Sequence, residues 1–295
     1  MGILCGLLTA LAWGSSDFLA RFSARKIGSI LTTFWMQFAG LVLLTATLRW
    51  VGGWGHLFDG SGWQPWAWGA FAGSLNAFAS LCLYRSFEVG KMSVVAPLSA
   101  SYPALTMAIS FFTGERLTAL RLAGILLILA GVVIVVRGEA SAPESVDEAP
   151  GAATSRVPGI GIALLAALGF GVLFWELGNR AVPRVGFAAT VWMIRLTSTV
   201  ITAVVLLMWR QPIKLPRDGK VTGWLLGMGV LDTGAFILNN LGMRLEQVSV
   251  VSVLSSLYGA VTVLLAAMVL RERLRMVQWM GIVGIFVGIV LISVW

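Results

Sequence analysis

Residues 137–157, RGEASAPESVDEAPGAATSRV, hold no apolar run and mix Pro, Ser, Gly and acids, the composition of a solvated linker. The hydrophobic stretches on either side repeat one another. Thr33-Phe34-Trp35-Met36 precedes the linker and Thr190-Val191-Trp192-Met193 follows it. Glu115-Arg116-Leu117, Gly124 and Gly131 likewise return as Glu272-Arg273-Leu274, Gly281 and Gly288, all at a step of 157 residues. Ser93-Val94-Val95 and Tyr102 match Ser249-Val250-Val251 and Tyr258 at a step of 156, so a one-residue insertion or deletion lies between the two sets. Matches this consistent along one diagonal mark an internal duplication. The expected organisation is a first repeat over 1–137, a linker over 138–157 and a second repeat over 158–295.

Composition identifies the solvent. The chain is 58% hydrophobic and 12% charged, with a mean hydropathy of +0.89, which excludes an ordinary soluble domain. An integral protein of the cell (inner) membrane is expected, with the lipid bilayer as its partner. The net charge of +8 then points to loops beside an anionic leaflet, not to nucleic acid. Cys5 and Cys82 both fall in apolar segments, so no disulfide framework is indicated. The first cation, Arg21, follows the first apolar segment, which therefore reads as a retained helix and not as a signal peptide.

A helix needs about 20 apolar residues to cross the hydrocarbon core. Such runs fall near 2–22, 29–49, 65–86, 92–113 and 117–137, and again near 158–179, 186–209, 221–243, 247–270 and 274–294. Five is odd, so the second copy enters from the opposite side. The expected fold is an all-α membrane protein of ten transmembrane helices, arranged as two inverted five-helix repeats, an arrangement typical of secondary transporters. Pro97 and Pro103 predict a broken fourth helix; the second half carries Leu254 and Gly259 near those places, so the break is expected in the first half alone.

Trp13-Gly14 in the first helix, Pro103 in the fourth, and Glu115-Arg116-Leu117 followed by Gly124 and Gly131 in the fifth resemble the EamA family of the drug/metabolite transporter superfamily. The second copy keeps Glu272-Arg273-Leu274, Gly281 and Gly288, so the resemblance covers essentially the whole chain. It implies transport of a small molecule without saying which, and it implies cytoplasmic termini.

An ionisable side chain in the bilayer core costs about 2.5–3.5 kcal/mol on insertion scales, so each one needs a reason. Asp17, Glu176, Arg195 and Asp232 are the candidates. Asp17 and Arg21, and Glu176 and Arg180, are each spaced four apart, so helical ion pairs compete with a role at a cavity mouth. Asp232 has Met228 and Phe236 four residues away and no partner on its own helix; Asn76 occupies the related place in the first half. Arg195 either bridges Asp232 or faces a ligand. Around these, Trp13, Tyr102, Trp175, Asn239 and Tyr258 complete an expected midplane binding site, although each such residue alone is more often packing or interhelical glue. Glu115 and Glu272 sit at helix junctions and read as capping groups.

Enzyme chemistry finds little support: the single histidine, His56, lies in a loop and cannot build a usual zinc site or a nucleophile–imidazole pair. No cofactor motif is present. The sequence is therefore read as a secondary active exporter of a small metabolite by alternating access. An amino acid suits a pocket holding both Arg195 and acids, and Asp232 is the candidate for proton coupling. If Asp232 consumes Arg195, the remaining acids favour cationic drugs or amines. A passive channel or a lipid-handling protein is the other alternative.

Of the 21 basic residues, 14 fall in the loops after the odd-numbered spans and 6 in the remaining loops, with Arg195 inside a helix. The positive-inside rule places the richer loops in the cytoplasm and both termini outside, opposite to the family expectation. A cysteine appended after Trp295 is therefore expected to react with an impermeant thiol reagent on intact cells; protection would refute the external placement.

Overall fold

The structure, a computed structural model, describes residues 1–113, 118–140, 159–245, 251, 254–272 and 274–293. Ten labelled helices, α1 Gly2–Ile27, α2 Ser29–Val51, α3 Gln64–Val89, α4 Met92–Ser99, α5 Pro103–Phe112, α6 Ala119–Ala140, α7 Ile160–Glu176, α8 Val182–Val185, α9 Phe187–Met208 and α10 Gly219–Leu245, are followed by helices Tyr258–Leu265 and Met276–Ser293. No strand occurs among the described residues. Among the described residues seven stretches are long and apolar enough to cross a membrane, namely Gly2–Ile27, Ser29–Val51, Met92–Phe112, Ala119–Arg137, Ile160–Val185, Phe187–Met208 and Gly219–Leu245. Leu254–Leu270 and Met276–Ile292 are shorter apolar helices. The α6 backbone runs to Ala140, three residues into the expected linker; the rest of 138–157, and Glu115, lie outside the described residues.

Local chemistry sets the joints. α1 and α2 are separated by Gly28 alone, at φ 83°, and α8 and α9 by Gly186 alone, at φ 97°. A side chain is strained at such angles, so glycine permits a reversal within one residue. Between α7 and α8 the chain makes a π-turn over Leu177–Ala181, just ahead of Pro183. Proline lacks an N–H and clashes with the carbonyl four residues back, and the wider turn relieves both faults.

The fourth helix breaks after Ser99, as its prolines predict. The second half breaks too, contrary to the one-sided expectation. Ser101 N donates to Leu98 O and Ala104 N to Ser101 O, while at the matching positions Leu257 N donates to Leu254 O and Ala260 N to Leu257 O. These tighter three-residue bonds form without proline at the matching sites in the second half. The turn therefore does not depend on proline.

The packing follows an exchange rule. α1 lies on α10 as α3 lies on α7; α2 lies on α10 as α3 lies on α9; α2 meets α9, and α6 meets Met276–Ser293. Each pair maps onto itself or onto another when the two copies are swapped. The last contact is antiparallel and reciprocal: a Cβ on Gly124 would lie 2.8 Å from Gly288 O, and one on Gly131 would lie 2.6 Å from Gly281 O. The returns are alike, at 2.7 Å from Gly124 O and 2.8 Å from Gly131 O. Small residues let helix backbones approach where lipid supplies no hydrophobic drive.

Gly131→Ala is expected to destabilise the protein by about 1–3 kcal/mol, because the carbonyl opposite cannot give way as a side chain could. Gly284→Ala, whose added Cβ would meet nothing closer than 3.7 Å, should be tolerated. Thermal unfolding of the two variants in detergent checks the contrast.

Candidate functional site

Five helices converge on one narrow cavity. α1 supplies Trp13 and Asp17, α3 supplies Asn76, Ser80, Leu83 and Tyr84, and α7 supplies Phe170 and Phe174. α10 adds Asp232 and Phe236, and Tyr258 closes the ring. Five of the expected site residues thus meet here: Trp13, Asp17, Asn76, Asp232 and Tyr258. Asn76 Nδ2 donates to Ser198 Oγ at 3.2 Å, which ties the cavity wall to α9.

Arg195 is fully buried, and its guanidinium lies 2.6 Å from Asp232 Oδ2. It also donates to Gln37 Oε1 at 2.6 Å and sits 5.2 Å from the centre of the Phe236 ring. Gly40 makes room for it, since a Cβ there would come within 3.1 Å of Arg195 Cδ. The arginine that the sequence left between a bridge and a ligand is therefore engaged behind the cavity wall. A buried ion pair of this kind contributes little net stability, whereas removing one partner leaves a buried charge uncompensated.

Asp17 is placed differently. It is 5% exposed, and its Oδ2 has no hydrogen-bond partner. The helical pair with Arg21 does not form. Arg21 donates instead to the carbonyls of Phe87 and Gly90 and lies 3.4 Å from Glu272. Nor does Glu176 pair with Arg180, whose guanidinium stands over the rings of Trp68 and Trp175. Glu176 is fully buried, with both carboxyl oxygens lacking a hydrogen bond, on the last turn before the π-turn and outside the cavity lining. Trp175 also lies outside the lining, as does Asn239, which reaches the sulfur of Met243 at 3.8 Å.

Tyr102 stands one layer back, stacked on Phe174 at 4.7 Å. Its hydroxyl is hydrogen-bonded to Ser255, and that of Tyr258 to Ser99, a reciprocal pair under exchange of the halves. Trp13 meets Phe236 at 5.1 Å, Phe174 at 5.7 Å and Tyr258 at 6.1 Å, each edge to face. The sequence reading missed Ser80, Leu83, Tyr84, Phe170, Phe174 and Phe236. The signal was spacing: 76, 80 and 83 share a helix face, as do 170 and 174, and 232 and 236.

The two ends of the molecule differ. One turn beyond Phe174 and Phe236, Gly178 and Asn240 line a wider vestibule. His56, Phe187 and Arg244 share it, and the aromatic layer divides it from the midplane cavity. At the opposite end Glu272 accepts from Ser93 N at 2.9 Å and Ser93 Oγ at 2.6 Å while facing Arg21, which ties α1, α3 and α4 together. Lys26 pairs with Asp218 at 2.9 Å at that same end. Glu272 thus caps a helix, as its position suggested, and also joins an ion pair.

The EamA-like transporter family matches this chain over residues 1–137 and 157–294. An uncharacterized protein of Methanocaldococcus jannaschii is 42% identical over 62 residues, 21% of this chain; the match spans 45% of that relative's length. A solved crystal structure of a protein superposes with a TM-score of 0.66 at 20% identity, covering 98% of this chain and 95% of that one, a likeness of fold alone. The family match extends over both copies of the repeat and nearly all of the sequence. This chain is a multi-pass integral membrane protein and belongs to the EamA-like transporter family.

Proposed function

We propose that the protein is a secondary exporter of a small organic solute, working by alternating access between two inverted five-helix halves, 1–137 and 158–295. The observation that carries this reading is the midplane cavity, which helices of both halves line and which holds a carboxylate, that of Asp17, with one unpartnered buried oxygen. The exchange-related packing supports the inverted arrangement, because a rocking motion then converts each end into the likeness of the other. In this state the Arg21–Glu272 end is closed and the vestibule end is the wider one. With the basic end in the cytoplasm, the vestibule opens outward.

Proton coupling passes from Asp232 to Asp17. Asp232 was the candidate because its own helix offers no partner; α9 supplies one in Arg195. Asp17 remains without one, and its charge is balanced by a proton or by a solute, not by both. Asp232 with its arginine, Tyr84 and Tyr258 are the titratable groups facing it across the cavity. Inward movement of protons would then drive the solute out.

The closed end gives the test. Glu272→Gln is expected to release Arg21 and shift the population toward the oppositely open state. Ser80→Cys, in a background with Cys5 and Cys82 replaced, should then react about tenfold faster with an impermeant thiol reagent from the Arg21 end, a shift of ~1.4 kcal/mol. An unchanged rate would remove the latch from the cycle.

The Arg195–Asp232 bridge gives a second. Asp232→Asn or Arg195→Gln alone is expected to cost about 3–5 kcal/mol of stability, and the double variant to recover most of it. Thermal unfolding of the three variants measures the coupling; additive losses would refute the pair.

A further inference from the structure

We propose that the midplane cavity binds a small organic monocation, an amine whose ammonium group pairs with Asp17 inside an aromatic box. The proposal rests on the carrier reading above and names the class of solute carried.

Charge balance selects the cation. The cavity holds two carboxylates, and Arg195 at 2.6 Å neutralises the one on Asp232. Asp17 is left with an unpartnered oxygen, nine-tenths buried and lining the space. The remaining polar groups of the lining, on Asn76, Ser80, Tyr84 and Tyr258, are neutral. The solute therefore meets one uncompensated negative charge and no free cation. The carboxylate of a zwitterion would find no partner, since Arg195 is already shared between Asp232 and Gln37. An anion would meet repulsion without screening.

The walls select an organic cation over a metal ion. Hard cations take six or more oxygen ligands, whereas much of this lining is ring face. Phe174 and Phe236 lie nearly parallel, 8° apart at 6.3 Å, with the Trp13 edge against both. Aromatic faces attract an ammonium group most strongly where water is excluded. The cavity is narrow, which favours a compact amine over a bulky dye.

Tryptamine, tryptophan and indole-3-acetate share one ring system and differ in charge, which makes them a direct probe. The full chain in detergent is titrated with each by calorimetry, and counterflow of each is measured in proteoliposomes. Tryptamine is expected to bind and to exchange saturably, tryptophan to bind at least about tenfold more weakly, and indole-3-acetate not to bind. Asp17→Asn should weaken tryptamine about tenfold or more, and Asp17→Glu should restore part of that loss, which separates charge from misfolding. Equal binding of tryptophan, tryptamine binding indifferent to Asp17→Asn, competition by sodium, or no binding of tryptamine, phenethylamine or choline would each overturn the proposal. The two readings part cleanly. Asp17-dependent binding without counterflow keeps the site and refutes the carrier; saturable counterflow of tryptophan alone keeps the carrier and refutes the amine.

Discussion

A guanidinium buried without any exposure must find its charge partner inside the protein, and in this chain it finds Asp232. That one pair constrains a good deal else. It holds α9 against α10 at mid-depth, beside Gly40, where an added Cβ would strike Thr233 Oγ1 at 2.4 Å and crowd the arginine at 3.1 Å. It also subtracts one charge from each side of the cavity's balance. With the pair in place the site is an acid among rings; with the pair broken it would be an arginine beside two acids. The charge character of the cavity is thus set by an interaction that lies behind its wall.

The all-helical, membrane-spanning character of the chain was legible because the solvent leaves few options. Backbone polar groups in lipid must bond within their own segment, so long apolar runs become helices and their order becomes topology. The duplication added pairwise information: once 131 and 288 are known to correspond, a two-fold relation brings Gly124 and Gly288 together. The broken fourth helix was legible only in part. Proline announced it in the first half, whereas in the second the same three-residue hydrogen bonds form without proline, so the sequence carried no local signal for them.

The site was harder to read because helical spacing shows which residues share a face without showing what that face meets. Asp17 with Arg21, and Glu176 with Arg180, satisfied the spacing for ion pairs. Each arginine instead went elsewhere, Arg21 to the carbonyls of Phe87 and Gly90 and to Glu272, Arg180 to the rings of Trp68 and its near neighbour Trp175. An arginine has five donors and a long reach, so carbonyls at a helix end compete well with one carboxylate four residues away. Trp175 and Asn239 failed to join the cavity for a related reason: each sits next to a residue that faces it or the vestibule, and one step along a helix turns a side chain by about 100°. The phenylalanines went unnoticed because an apolar residue in a membrane helix carries no signal of its own. Their importance comes from the layer they make with Trp13 between cavity and vestibule.

The glycine contact between α6 and Met276–Ser293 is isologous: the patch that Gly124 and Gly131 offer is the patch that Gly281 and Gly288 return. Contacts of that kind hold two-fold dimers together. Here both surfaces belong to one chain, so no association of separate copies is needed to bring them together. Covalent connection replaces an association constant by an effective concentration. It also frees the two sides of the contact from having to be identical. Arg195 has Phe38 at the matching place, and Asp232 has Asn76. An ion pair across one of two equivalent interfaces is something that a homodimer, obliged to repeat every substitution, could never confine to a single side.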